Sequence, residues 1–194
     1  MSTHKYDYLY NILLLGGFGV GKTSLLGRYT DDSFVIHSYT TDIDFKIKII
    51  KLSNGKLVKL RIWDTGGYER LRPIIKTYIN RSDGIILLYD VTDLNSFKYV
   101  NNWINFIRAN AQRNLVVYLV GTKIDKKEER KVTIEEGEII AEKNKCLFAE
   151  VSSKTGYNVN EIFQDLVERI HNGDFYFNVP GKNVRQKLNK FIDY

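Results

Sequence analysis

Cysteine is nearly missing: one residue in 194, Cys146, so no disulfide can form within the chain and a reducing compartment is expected. Cys146 opens the strand-like Cys146-Leu-Phe-Ala-Glu-Val151 and reads as a small buried hydrophobe. Long apolar runs are missing too, none approaching the roughly 18 residues of a membrane-spanning helix. The N-terminal Met1-Ser-Thr-His-Lys5 has neither the apolar core of a secretory signal nor the glycine that myristoylation requires. The expected location is therefore cytoplasmic. Charge of one sign is not concentrated anywhere: 29 Lys and Arg face 23 Asp and Glu, and the net +6 is scattered, which reads as solvated surface and gives no footing for nucleic-acid binding. Internal repeats and low-complexity linkers are lacking. A chain of 194 residues with 43% hydrophobic content suits one monomeric globular domain, residues 1–172, with a tail at 173–194.

What is present centres on Gly16-Gly17-Phe18-Gly19-Val20-Gly21-Lys22-Thr23, which satisfies G-x-x-x-x-G-K-[ST]. In such a loop backbone N–H groups cradle phosphates, the lysine reaches the outer phosphates and the hydroxyl serves Mg²⁺. The flanks fit, with an apolar strand at 6–16 and a helix from Lys22 to about Tyr29, so the phosphates meet a helix N-terminus. Gly17, Phe18, Gly19, Val20, Gly21, Lys22, Thr23 and Ser24 are the candidate phosphate residues. Two alternating runs follow, at 45–52 and 56–63, joined by Ser53-Asn54-Gly55 as a half-exposed hairpin. Apolar strands at 84–89, 115–120 and 146–151 then alternate with helical patterns at 96–112, 133–143 and 159–171. That series predicts an α/β fold, a mostly parallel six-stranded sheet with helices on both faces and ligands at the carboxyl ends of the strands.

Motifs stand at those ends. The run 56–63 leads into Asp64-Thr65-Gly66-Gly67-Tyr68-Glu69, the strand 115–120 into Gly121-Thr122-Lys123-Ile124-Asp125, and the strand 146–151 into Ser152-Ser153-Lys154. A carboxylate beside a phosphate loop is placed to hold Mg²⁺ with the loop hydroxyl, here Asp64 with Thr23.

Trp63-Asp-Thr-Gly-Gly-Tyr-Glu69 resembles the W-D-T-A-G-Q-E signature of Ras-like small GTPases, Thr122-Lys-Ile-Asp125 resembles their N-K-x-D, and Glu150-Val-Ser-Ser-Lys154 resembles E-T-S-A-K. The likeness covers residues 8–171 and is nearest to Rab proteins, through Asp44-Phe-Lys46, Lys59-Leu-Arg-Ile-Trp63 and Leu88-Tyr-Asp-Val-Thr92 with Asn95-Ser-Phe97. The resemblance implies that Asp125 reads guanine, that the stem of Lys123 covers the base, that Ser152, Ser153 and Lys154 form the loop at the base oxygen, and that Gly67 meets the γ-phosphate. It implies switch loops at about 33–44 and 65–81, with Phe34 at the base edge. Trp63 is either an exposed anchor for effectors or a core residue. Counting forward from Thr23 and Phe34 puts the Mg²⁺-binding threonine of the first switch at Thr41, and counting back from Asp44 puts it at Thr40; Thr41 is preferred, beside Thr23 and Asp64.

Departures from the family pattern concentrate at the chemistry. Phe18 stands where a small residue is usual, and Tyr68 where the water-orienting glutamine belongs. Thr122 replaces the usual asparagine. No cysteine for prenylation follows Cys146, although Val184, Leu188, Phe191 and Ile192 would share one face of a basic helix. The implied function is a guanine-nucleotide switch in membrane traffic with slow hydrolysis, binding GTP or GDP with Mg²⁺. Implied partners are effectors, an exchange factor and an activating protein, with weak or partner-mediated attachment to endomembranes. An ordinary hydrolysing Rab and a non-hydrolysing scaffold are the alternatives.

Overall fold

A computed structural model describes residues 6–35, 43–67 and 72–181. Thr40, Thr41, Asp42, Tyr68 and the amphipathic stretch 183–192 lie outside the described residues. The elements are β1 (Tyr8–Gly16), α1 (Lys22–Asp31), β2 (Ile43–Lys51), β3 (Leu57–Thr65), α2 (Arg72–Arg81), β4 (Gly84–Asp90), α3 (Leu94–Lys98), α4 (Val100–Asn110), β5 (Val116–Thr122), α5 (Ile134–Asn144), β6 (Leu147–Glu150) and α6 (Val159–Asn172). The strands form one six-stranded sheet in the order β2-β3-β1-β4-β5-β6. Only the β2–β3 hairpin pairing is antiparallel; β3–β1, β1–β4, β4–β5 and β5–β6 are parallel.

Strand alternation separates two cores. Ile12 and Leu14 of β1, Ile86 and Leu88 of β4, and Val116, Tyr118 and Val120 of β5 face one side, against Leu25, Leu26 and Tyr29 of α1 and the apolar face of α6. Residues one step along, Leu13, Leu15, Ile85, Leu87, Val117 and Leu119, face the other side, against α2 and α4. α6 commits to its face through Val159, Ile162, Phe163, Leu166, Val167 and Ile170, a helical stripe. Tyr29 and Phe163 join α1 to α6 by stacking, centroids 3.8 Å apart at 10°.

Local chemistry sets several boundaries. α5 starts at a capping box: Thr133 Oγ1 accepts from Glu136 N at 3.2 Å and Glu136 Oε2 from Thr133 N at 2.8 Å. The single helix expected at 96–112 is two. It begins two residues earlier because Asp93 accepts from Asn95 N at 2.9 Å, and it closes where Ala111 turns extended (φ −67°, ψ 136°). The stretch 65–81, expected as a loop, contains α2, whose Ile75 and Ile79 are buried one turn apart. Pro73 in its first turn suits a helix start. Cys146 is half-buried just before β6, where burial pushes its thiol up to about 12, so it stays protonated.

Trp63 turns out to be half-buried at the rim of the second core, between Phe45 (4.7 Å) and Tyr78 (4.8 Å). Beyond α6 the chain returns to the domain. Leu115 and Phe177 form a β-bridge, Val179 N donates to Asn114 Oδ1 at 2.9 Å, and Phe177 is fully buried in the second core with Arg108 4.9 Å from its ring centroid. The segment drawn as tail at 173–194 thus contributes core side chains. Phe177→Ala is expected to cost about 3–5 kcal/mol of unfolding free energy, the range for truncating a buried aromatic. Urea denaturation checks this; a loss under about 1 kcal/mol would mean that the strap adds little to the core.

Candidate functional site

The parallel strands β1, β3, β5 and β6 all end on one edge of the sheet, and the four motifs sit in the loops that follow them. They surround a cavity of about 900 Å³, large enough for a nucleotide-sized ligand. Its wall includes Phe18, Gly19, Gly21, Lys22, Thr23 and Ser24 from the phosphate loop and α1, with Phe34 opposite. Gly67, Thr122, Lys123, Asp125, Ser153 and Lys154 complete it from the other loops.

The loop is shaped for an anion. Gly21, at the N-cap of α1, has φ +96°, a left-handed conformation that favours glycine, and no side chain caps the helix there. The first N–H groups of α1 are thereby left facing the cavity, where anions are favoured. Carbonyls of the same loop are engaged from other sides. Lys22 Nζ donates to Gly16 O at 3.0 Å and Gly17 O at 2.7 Å, Lys123 Nζ to Gly19 O at 2.8 Å, and Thr122 Oγ1 to Val20 O at 2.7 Å. Thr122 Oγ1 also lies 2.9 Å from Tyr89 O. A hydroxyl has one proton where an asparagine amide has two, so Thr122 shares one donor between two carbonyls.

Lys22 is 5% exposed. Burial lowers its ammonium to about 8, and the nearby Asp64 carboxylate acts the other way. Thr23 Oγ1 donates to Asp64 Oδ2 at 2.5 Å, linking α1 to β3. Asp64 is 3% exposed. Hydroxyl and carboxylate together are a hard, all-oxygen donor pair, which suits Mg²⁺ held mainly by phosphate and water. Among the described residues no group of three or more His, Cys, Asp or Glu could cage a metal.

On the base side, Ser152 Oγ donates to Asp125 Oδ1 at 2.6 Å. Lys123, at φ +64°, pairs with Asp90 Oδ2 at 2.6 Å as well as with Gly19. Its stem therefore runs across the cavity floor from β5 to the phosphate loop. Val20 and Ser152, expected among the contact residues, lie behind the wall: Val20 is fully buried in the first core and Ser152 is 1% exposed. Ser152 positions Asp125. Asp90 and the rim residues Lys126, Lys127, Glu128 and Glu129 escaped the sequence reading. The rim follows directly on Asp125, which was the available signal.

Phe18 reaches the cavity wall and is 46% exposed. Gly67 approaches the loop so closely that a Cβ there would stand 2.4 Å from Phe18 N and 2.6 Å from Gly17 O. Only glycine fits. The positions expected to govern hydrolysis thus meet at one end of the cavity, Tyr68 falling outside the described residues.

Residues 11–172 match the model of the Ras family. The GTP-binding protein ypt2 of Schizosaccharomyces pombe is 46% identical over 88% of this chain and 85% of its own. The Ras-related protein RabC of Dictyostelium discoideum is 43% identical over 84% and 85%, and the Ras-related protein SEC4 of Candida albicans is 41% identical over 93% and 86%.

A phosphate chain beside Lys22 favours its charged form and raises its pKa from the value of about 8 that burial imposes. Binding above pH 8 therefore takes up a proton. Affinity is full below pH 8 and falls by up to about tenfold per pH unit above it, until the pKa of the complex is reached. Titration calorimetry at pH 9 in buffers of different ionisation heat reads the uptake directly; heats independent of buffer would contradict this account of Lys22.

Proposed function

The chain is a Rab-like member of the Ras family of small GTPases, and from that premise we propose a guanine-nucleotide switch whose hydrolytic step is slow. The observation that carries the reading is the meeting of Lys22, Thr23 and Asp125 around one cavity, with Asp64 bonded to Thr23 behind its wall. Lys22 and the N–H groups at the start of α1 hold the phosphates. Asp125, fixed by Ser152, accepts the two N–H donors of guanine that adenine does not offer. Thr23 and Asp64, with Thr41, would hold Mg²⁺. When bound, that ion neutralises charge on the phosphate oxygens.

Two residues argue for slow turnover. The Phe18 ring occupies the cavity end that an arginine from an activating protein must enter. At the next position after Gly67, a tyrosine hydroxyl has to accept from water and donate to phosphate through one oxygen, a poor substitute for an amide, which offers a separate acceptor and donor. Kinship with the Ras-related proteins RabC and SEC4 supports a traffic role on endomembranes. Effectors, an exchange factor and an activating protein would read the surface around the hairpin, with the domain acting as a monomer and membrane contact weak or partner-mediated. Among the described residues no helix is long and apolar enough to cross a membrane.

The test is to denature freshly purified protein and identify the released nucleotide by ion-exchange chromatography. GTP near one per chain is the expected result. GDP alone would end the slow-hydrolysis reading, and an empty chain would favour a scaffold. In single turnover, the rate is expected well below the order of 10⁻⁴ s⁻¹ typical of unassisted members, and little raised by an activating protein. The double substitution Phe18→Ser with Tyr68→Gln is expected to restore acceleration by that protein. A rate within a few-fold of ordinary members in the unaltered chain would remove the proposal.

A further inference from the structure

Arg28 belongs to none of the motifs, yet it connects α1 to the base-reading loop. Its side chain is 18% exposed. Nε donates to Ser153 O at 2.7 Å and Nη2 to Lys154 O at 3.0 Å. Nη1 donates to Asp32 O and Asp32 Oδ1, both at 3.0 Å. Asp32 caps the C-terminus of α1 in a left-handed conformation, φ 49°. One planar fork thus ties the end of the phosphate-binding helix to two consecutive carbonyls of the loop after β6. Gly156 borders the stem, with its Cβ position 3.8 Å from Arg28 Cδ.

The loop's internal bonds do other work. Ser152 N donates to Tyr157 O at 3.2 Å and Gly156 N to Ser152 O at 2.9 Å. Thr155 N donates to Ser152 Oγ at 3.2 Å, and that hydroxyl orients Asp125. None of these bonds fixes the peptide between Ser153 and Lys154. Arg28 does, by holding its carbonyl. In a planar trans peptide the C=O and N–H point opposite ways, so a carbonyl drawn toward α1 turns the Lys154 N–H away from α1. Both Ser153 and Lys154 line the cavity.

We propose that Arg28 is a positioning residue for nucleobase selection: by holding the Ser153 carbonyl, with the Lys154 carbonyl anchoring the fork, it aims the Lys154 N–H at the oxygen on C6 of guanine. The inference rests on the guanine reading given above. A lysine cannot replace it fully, because an ammonium is a point donor without the fixed fork that spans two carbonyls and Asp32 at once. The contribution is to affinity and selectivity at C6, where the base oxygen accepts; the N–H donors of the same base remain with Asp125.

The full chain, its nucleotide exchanged for a fluorescent guanosine diphosphate, is displaced by GDP or by 6-thio-GDP. The thio analogue keeps the N–H donors that Asp125 reads and weakens only the acceptor at C6. The unaltered chain is expected to prefer GDP. Arg28→Ala is expected to weaken GDP about tenfold, the scale of one net hydrogen bond, and to move the GDP to 6-thio-GDP ratio toward one. Arg28→Lys is expected to fall between, and it carries the same comparison if Arg28→Ala does not fold. A purely structural role would weaken both ligands equally, so an unchanged ratio in either variant overturns the inference, as does an unaltered chain without the preference. An unaltered chain that binds no GDP would overturn the guanine reading and this inference with it.

Discussion

A peptide plane has two ends, and a loop can offer its N–H groups to a ligand only if its carbonyls are held elsewhere. That constraint organises this molecule. The carbonyls of Gly16, Gly17, Gly19 and Val20 are taken by Lys22, Lys123 and Thr122. On the base side those of Ser153 and Lys154 are taken by Arg28. The donors come from α1 and from the end of β5, so the phosphate loop, the base floor and the base loop are braced on one another. Removing any one donor leaves peptide groups to reorient, which makes the geometry of the cavity a collective property rather than a sum of motifs.

Charge follows the same plan. Placing an ammonium at 5% exposure is unfavourable, and burial accordingly lowers the pKa of Lys22. A phosphate beside Lys22 would favour its charged form and so offset that cost. Asp64 is close enough to moderate the cost without neutralising the loop, being engaged by Thr23. Lys123 receives a tighter partner, Asp90, in keeping with a lysine that spans a floor rather than meeting phosphate.

The fold was legible because β1, β4 and β5 are apolar on both faces while β2 alternates, which distinguishes covered from half-covered strands. The cavity residues were legible where a motif has rigid spacing, as from Gly16 to Thr23 and from Thr122 to Asp125. Legibility failed where contacts are long-range or where resemblance overrode pattern. α2 was hidden by the expectation of a loop, although Ile75 and Ile79 carry its buried face. Phe177 looked like tail because nothing local announces a partner at Leu115. Arg28 was invisible for the same reason: its acceptors are 125 and 126 residues away, and an arginine on a helix reads as solvated surface until the fold brings them together. The side chains of Val20 and Ser152 turn away from the cavity, which spacing could not show, because spacing locates a residue but not the direction in which its groups point.

The approach of Gly67 to the Gly17–Phe18 peptide gives the altered chemistry a mechanical side. At this end of the cavity the two backbones come so close that no side chain fits between them. The phosphate loop is the less movable, since its carbonyls are held by three side chains and Val20 is packed in the first core. Gly67, on the other side, directly precedes Tyr68 in the chain. Phe18, half-exposed on the rigid side, is carried on a backbone that does not retreat. Phe18 and Gly67 therefore meet across one gap, and substitutions at these two positions are expected to couple rather than add.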